Sequence, residues 1–119
     1  MKTIIAGSRE LFVTEDELNE IVKTSKIDIT EVISGGAKGI DTCAIDYAKK
    51  YEVPYKIFRI KKEQWDKYKK AAGPIRNGKM SEYGEALIAI WDGKSRGTKD
   101  MIDKMTKLNK VVYIHTTNT

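Results

Sequence analysis

Short apolar runs alternate with amphipathic segments along most of the 119-residue chain. The apolar runs, which predict strands, lie at about residues 3–6, 30–33, 55–60, 86–91 and 111–114. Between these runs, apolar residues recur at helical spacing, as at Ile40, Ala44, Tyr47, Ala48 and Tyr51. Strands that alternate with helices predict a parallel sheet covered by helices on both faces.

The polarity of the strands predicts their order in the sheet. The first and fourth runs are the most apolar, as is typical of central strands that are buried on both faces. Lys56 and Arg59 interrupt the third run, which suits an edge strand. The long connection before residue 86 then carries the chain across the sheet. We therefore predict a single α/β domain over residues 1–119, a Rossmann-like three-layer α/β/α sandwich with a parallel five-stranded sheet in the order 3-2-1-4-5.

Local signals mark several helices. Thr14 and Glu17 have the spacing of a capping box, with Thr14 as the N-cap of the first helix. Pro74 is suited to begin a helix, which would put Arg76 in the first turn. A cation is unfavourable at that end of the helix dipole, so we expect Arg76 to face a negative group or, alternatively, solvent. The last helix is expected to bury Met101, Ile102, Met105 and Leu108.

Three glycine-bearing loops follow the first, second and fourth strands. They are Gly7-Ser8-Arg9, the segment from Ser34 to Asp41, and the segment from Asp92 to Thr98. Glycine permits close approach of a ligand, and a helix start offers unpaired N–H groups that favour phosphate. Ligands of open parallel sheets bind beyond the carboxyl ends of the strands, where the strand order reverses. We expect the three loops to form one phosphate-binding cleft, although each glycine loop by itself can serve only a tight turn.

Composition and charge narrow the function classes. The net charge is +5, from 22 Lys and Arg against 17 Asp and Glu, which favours anionic ligands without identifying nucleic acid. Cys43 and His115 are the only cysteine and histidine, so we expect no disulfide framework, no metal site and no histidine-based triad. No apolar run approaches the roughly 20 residues of a membrane span, and the first apolar run is too short for a signal peptide. We therefore expect a cytoplasmic protein without a membrane partner.

The segment from Lys61 to Lys70 carries five lysines together with Trp65 and Tyr68. A basic segment with aromatic side chains can bind single-stranded nucleic acid. A solvated helical face with its aromatic side chains packed inward is the alternative.

The motifs of this chain resemble those of the SLOG superfamily, the Rossmann-like domains named for the Smf/DprA and LOG families. The matching segments are Gly7-Ser8-Arg9, Ser34 to Asp41, Gly73 to Asn77 with Met80, and Asp92-Gly93 with Gly97-Thr98. The chain is most similar to the small stand-alone YspA-like branch of bacteria and phages. The resemblance implies recognition of nucleotides or their derivatives and assembly as homodimers or homotetramers.

Two other branches of the superfamily imply rival activities. DprA proteins share the pattern of residues 34–41 and bind single-stranded DNA, but their following histidine has no counterpart in Ala44-Ile45-Asp46. LOG proteins cleave nucleoside monophosphates, and Arg76 and Met80 match one of their motifs. Met101 stands at the position of their catalytic glutamate. Because a thioether does not stabilise an oxocarbenium-like state, this substitution argues against hydrolysis unless Asp41, Asp92 or Asp100 replaces the carboxylate.

We expect phosphates to bind the Ser34–Gly36 turn and Gly97-Thr98. Arg9 and Arg76 would neutralise their charge through paired guanidinium donors. The full set of predicted ligand-binding residues is Gly7, Ser8, Arg9, Ser34, Gly35, Gly36, Ala37, Gly39, Asp41, Arg76, Asn77, Met80, Asp92, Gly93, Ser95, Gly97 and Thr98.

The remaining parts of a nucleotide also have candidate partners. Asp92 or Asp41 can accept hydrogen bonds from ribose hydroxyls, although Asp41 can equally serve only the dipole of its own helix. Trp91 or Tyr83 can stack on a base, although Trp91 also suits the core. The leading hypothesis is a binding module, without a cofactor, that senses or sequesters a nucleotide-derived small molecule. A nucleotide-cleaving enzyme and a single-stranded nucleic-acid binder are the alternatives.

Overall fold

The computed structural model describes residues 1–117. Its strands are β1 (Lys2–Gly7), β2 (Glu31–Ser34), β3 (Tyr55–Ile57), β4 (Ala86–Trp91) and β5 (Val111–Thr116). Its α-helices are α1 (Glu15–Ser25), α2 (Ile40–Lys50), α3 (Lys62–Tyr68), α4 (Ala72–Tyr83) and α5 (Arg96–Lys107), and a 3-10 helix (Lys69–Ala71) joins α3 to α4. Among the described residues, no helix combines the length and the apolar character needed to cross a membrane.

All five strands pair in parallel in one sheet. Their order is β3-β2-β1-β4-β5, as the strand polarities predict. In the middle strand, Ile4 lies opposite Ile33 on one side and Leu87 on the other. The interiors of β1 and β4 are buried, whereas β3 is an edge strand with two exposed residues. The predicted fold class, a Rossmann-like α/β fold with this strand order, is confirmed.

Successive residues of β1 supply the two cores on opposite faces of the sheet. Ile5 packs in a cluster with Leu18 of α1 and Ile40 of α2. Ile4 packs in the other cluster with Met80 of α4 and Met101 of α5. Because the helices cover both faces, the loops that follow the strands lie at the carboxyl edge of the sheet.

The capping box of α1 is confirmed. The Thr14 hydroxyl accepts a hydrogen bond from the Glu17 N–H at 3.1 Å, and the Glu17 carboxylate accepts one from the Thr14 N–H at 3.0 Å. The third strand ends at Ile57 rather than near residue 60, because Ile57 pairs with Ser34, the last residue of β2. The Phe58 N–H still donates to the Ser34 carbonyl at 2.8 Å, and β2 ends there.

Three other boundaries differ from the sequence-based expectation. Pro74 is the third residue of α4, which begins at Ala72, so Arg76 lies beyond the first turn. Leu108 is the C-cap of α5 and is 47 % exposed, because the chain turns away there through Asn109 at φ 56°. Thr116, predicted to begin a polar tail, belongs to β5, and residues 118 and 119 of that tail lie outside the described residues.

Candidate functional site

A cavity of about 730 Å³, the main cavity, opens at the carboxyl ends of β1 and β4, where the strand order reverses. This volume is in the range of small-molecule sites. All three predicted loops contribute to its wall, together with α4. The predicted ligand-binding residues that line it are Gly7, Ser8, Arg9, Gly35, Ala37, Asp41, Arg76, Asn77, Met80, Asp92, Ser95, Gly97 and Thr98.

The other four predicted residues, Ser34, Gly36, Gly39 and Gly93, do not line the main cavity. Ser34 is fully buried, and its hydroxyl donates to the Asp41 carbonyl at 2.8 Å. A Cβ on Gly39 would lie 2.5 Å from the Ser8 carbonyl oxygen, so this glycine allows the start of α2 to pack on the loop after β1. Gly93 has a φ of 82° with open space around it, and its role is the turn conformation.

Two amide groups of residues 34–37, here called the glycine turn, donate hydrogen bonds inside the protein. The Gly36 N–H donates to the Ser34 hydroxyl at 3.1 Å, and the Ala37 N–H donates to the Asp41 carboxylate at 3.2 Å. Of the Ser34–Gly36 turn, where phosphate is expected, the Gly36 N–H is thus already engaged. Any anion here has to be held by groups other than those two amides.

The two glycines of the turn make room for two arginine side chains. Arg76 Nη1 donates to the Gly35 carbonyl at 2.7 Å, and a Cβ on Gly35 would lie 2.5 Å from that nitrogen. Arg59 Nη1 donates to the Gly36 carbonyl at 3.4 Å, and Gly36 itself has a φ of 74°. The turn therefore supports guanidinium groups beside the cavity.

Side chains of α4 and α5 hold Arg76 in place. Arg76 Nε donates to Asn77 Oδ1 at 3.1 Å, and Asn77 Nδ2 donates to Asp100 Oδ2 at 3.0 Å. Lys104 Nζ pairs with the other oxygen of Asp100 at 2.5 Å. This chain of hydrogen bonds connects the guanidinium to both helices and fixes its orientation.

Asp41 is the carboxyl group that attracts Arg76 electrostatically. The carboxyl is only 7 % exposed, and this burial raises its pKa, while the Ala37 hydrogen bond and then the charges of Arg76 and Arg9 act in the opposite direction. Burial also lowers the pKa of Arg76, against the attraction of Asp41. The prediction that Arg76 faces a negative group is thus matched by an electrostatic neighbour, although its hydrogen bonds go to carbonyl and amide oxygens.

The start of α5 forms the opposite wall. Asp92 Oδ1 accepts hydrogen bonds from the Ser95 N–H at 2.9 Å and the Lys94 N–H at 2.8 Å, which lower the pKa of Asp92. Ser95 is the N-cap and accepts from the Thr98 N–H. The N–H groups of Arg96 and Gly97 have no hydrogen-bond partner within residues 1–117, so this helix start retains free donors at the cavity.

The charged residues of the wall include some that were not predicted from the sequence. The cations are Arg9, Lys70, Arg76, Lys94 and Arg96, and the carboxylates are Glu10, Asp41, Asp92 and Asp100. Glu10 and Arg96 adjoin predicted residues, so proximity in sequence was the available signal for them. Lys70 lines the cavity from the 3-10 helix. Its position there depends on how the connection between β3 and β4 folds back toward the sheet.

The two aromatic residues expected to stack on a base have other contacts. Trp91 Nε1 donates to the Ser95 carbonyl at 3.1 Å, and the Tyr83 hydroxyl donates to Glu31 at 2.6 Å. Neither side chain lines a described cavity. Trp65 does line one, a second cavity of about 490 Å³ that we call the side cavity. Its wall consists of Arg9, Gly35, Gly36, Ala37, Lys38, Arg59, Ile60, Trp65 and Arg76.

Within residues 1–117, no group of three or more histidine, cysteine, aspartate or glutamate side chains is arranged to hold a metal ion. Comparison with protein-family models, with curated proteins and with solved structures finds no match to this chain, and the resemblance to the SLOG superfamily stays a prediction.

Proposed function

We propose that the protein binds a nucleotide or a nucleotide-derived phosphorylated small molecule in the main cavity, at the carboxyl ends of β1, β2 and β4. The observation that carries this proposal is the convergence of two arginines and a free helix start on one cavity of about 730 Å³. Such sites in open parallel sheets are used for phosphorylated ligands. Sensing and sequestering are the two roles that such binding would serve.

The phosphate is assigned to Arg9, Arg76 and the N-terminus of α5. The Arg9 side chain is exposed and makes no hydrogen bond within residues 1–117, so its paired donors are free for an anion. Arg76 is already oriented by Gly35 and Asn77, which reduces the entropy lost on binding. The free N–H groups of Arg96 and Gly97 add donors at the positive end of a helix dipole.

The sugar is assigned to the carboxylates of the same wall. Asp92 keeps one oxygen free of the backbone hydrogen bonds that hold the other and lower its pKa, so the carboxylate is ionised at neutral pH. An ionised carboxylate accepts hydrogen bonds strongly from vicinal hydroxyls. Mixed cations and carboxylates therefore favour a ligand with both phosphate and ribose over inorganic phosphate alone.

The test is a calorimetric titration of ADP, GDP and UDP into the wild-type protein and the Arg9→Ala variant. We expect Arg9→Ala to weaken binding of the preferred nucleotide about tenfold or more, because a charge-assisted hydrogen bond is lost. Lys107→Ala is the matched control, since it also removes one exposed positive charge but lies at the far end of α5. No binding to the wild type, or equal losses in the two variants, would contradict the proposal.

A second candidate function, cleavage of the nucleotide, is favoured by one specific observation. Asp41 and Asp92 line the same cavity, with the pKa of Asp41 raised by burial and that of Asp92 lowered by backbone hydrogen bonds. Carboxyl groups whose pKa values are displaced in opposite directions can divide the roles of acid and base. Chromatography of the titrated mixtures separates the two functions, because a binding module returns the nucleotide unchanged.

A further inference from the structure

The side cavity differs from the main cavity in its chemistry. Four cationic side chains line it, and its lining within residues 1–117 contains no carboxylate. Trp65 is its aromatic wall, and 42 % of that side chain is exposed. Cations with an aromatic face and no acceptor suit a phosphate next to a stacked base.

The two cavities meet at the glycine turn. Arg9, Gly35, Ala37 and Arg76 line both of them. Both shared cations therefore lie at the boundary. Arg59, which donates a hydrogen bond to the Gly36 carbonyl, extends the positive charge into the side cavity. A ligand that crosses the boundary would pass its most negative part over these three guanidinium groups.

The distribution of carboxylates decides between a small molecule and a polymer. The main cavity carries Asp41, Asp92, Asp100 and Glu10, which accept hydrogen bonds from hydroxyls and repel further phosphates. A nucleic-acid strand brings a phosphate at every nucleotide. In this protein only the side cavity carries positive charge without a carboxylate in its described lining, and at the boundary Asp41 offsets part of the charge of Arg76 and Arg9. A ligand with its charge in the middle and a nucleoside at each end fits this pattern.

We propose that the ligand is a dinucleotide, two nucleosides joined by phosphates. One nucleoside occupies the main cavity, the bridging phosphates lie on Arg9 and Arg76, and the second base stacks on Trp65 in the side cavity. This inference rests on the proposed function, because it extends the same site.

The experiment compares nucleoside diphosphates with dinucleoside diphosphates, in adenosine, guanosine and uridine forms, by calorimetric titration. Each pair contains the same two phosphates, and the dinucleotide adds the second nucleoside while losing the second ionisation of the terminal phosphate, so a tighter dinucleotide cannot be explained by extra negative charge. We expect the preferred dinucleotide to bind about tenfold more tightly than its diphosphate, the contribution of one stacked base. Trp65→Ala should remove this advantage and leave the affinity for the diphosphate unchanged.

Tyr68→Ala is the matched control, since Tyr68 is in the same helix, is 39 % exposed and lines neither cavity. It should leave both affinities unchanged. Diphosphates that bind as tightly as dinucleotides, or an advantage that survives Trp65→Ala, overturn the dinucleotide proposal and leave the proposed function standing. Tighter binding of a short single-stranded oligonucleotide than of any dinucleotide also overturns it. If no nucleotide of either kind binds, the proposed function fails as well.

Discussion

Asp41 combines deep burial with a position on the wall of the main cavity. Its carboxylate accepts the Ala37 N–H, and its backbone carbonyl accepts the Ser34 hydroxyl, so this residue joins the start of α2 to the glycine turn. The charged form of a buried carboxyl is disfavoured by loss of hydration, and the neighbouring Arg76 and Arg9 offset this only in part. Asp41 therefore stabilises the turn by hydrogen bonds, while the burial of its charged form lowers the free energy of unfolding by an amount that depends on pH.

We expect Asp41→Asn to change how the free energy of unfolding depends on pH. The raised pKa means that the native state keeps a proton which the unfolded state, with an ordinary pKa of 3.8, has already released. The stability of the wild type should fall as pH rises from 3.8 through the raised native value, because fewer protons are bound in the unfolded state over that window. The asparagine variant lacks this decline.

Urea unfolding of both proteins at a series of pH values measures the effect. The difference in free energy between variant and wild type should shift in favour of the variant as pH rises, and should become constant above the native pKa. Two curves that run parallel across the acidic range would show that the Asp41 pKa is not raised.

Among the elements, α4 is linked by hydrogen bonds, near each of its ends, to segments that are distant in sequence. Arg76 connects it to the glycine turn, and at its C-terminus Lys110 Nζ donates to the carbonyls of Ser81 at 2.6 Å, Glu82 at 3.1 Å and Gly84 at 2.6 Å. The last carbonyls of a helix lack partners within the helix, and a lysine is suited to bond them and to oppose the dipole. Lys110 thus positions the helix that carries Arg76 and Asn77.

We expect Lys110→Met to lower the free energy of unfolding by about 1–3 kcal/mol, because it leaves these carbonyls without their charged donor. Methionine retains the aliphatic length of the side chain, so the packing of the stem is largely preserved. Lys107→Met serves as the control, since Lys107 is exposed in the last turn of α5. Urea unfolding distinguishes the two, and equal losses would assign the effect to charge or composition instead of the cap.

The whole molecule shows which features are local enough to be predicted from sequence. The capping box at Thr14 was predictable because both partners lie within one turn, and the strand order followed from the polarity of β3 and the uninterrupted apolar run of β4. Positions of the loops at the carboxyl edge then followed from the fold. These signals require only neighbouring residues or a comparison between segments.

The side chains that pack on the glycine turn come instead from residues distant in sequence. Arg59 and Arg76 reach it from 23 and 41 residues away, and they use the space that the glycines leave. Trp65 lines the side cavity only because the connection between β3 and β4 folds back toward this edge. No periodicity or motif within a single segment encodes such approaches, so the arginines on the turn and the place of Trp65 in the side cavity were not predictable in detail.

At the scale of the molecule, the proposed ligand joins loops from both halves of the sheet, and hydrogen exchange measures that directly. With the preferred dinucleotide at saturation, we expect slower exchange at short labelling times in residues 8–13, 35–38 and 92–97, because a ligand that binds the closed native loops suppresses their local opening. Residues 26–30 lie at the amino ends of the strands, opposite the cavities, and should exchange as in the free protein.

Protection at that opposite end, or in only one of the three loops, would contradict a ligand that bridges them. At a dinucleotide concentration near the wild-type Kd, the Arg9→Ala variant should lose most of the protection at all three loops together, since one bound molecule is responsible for it.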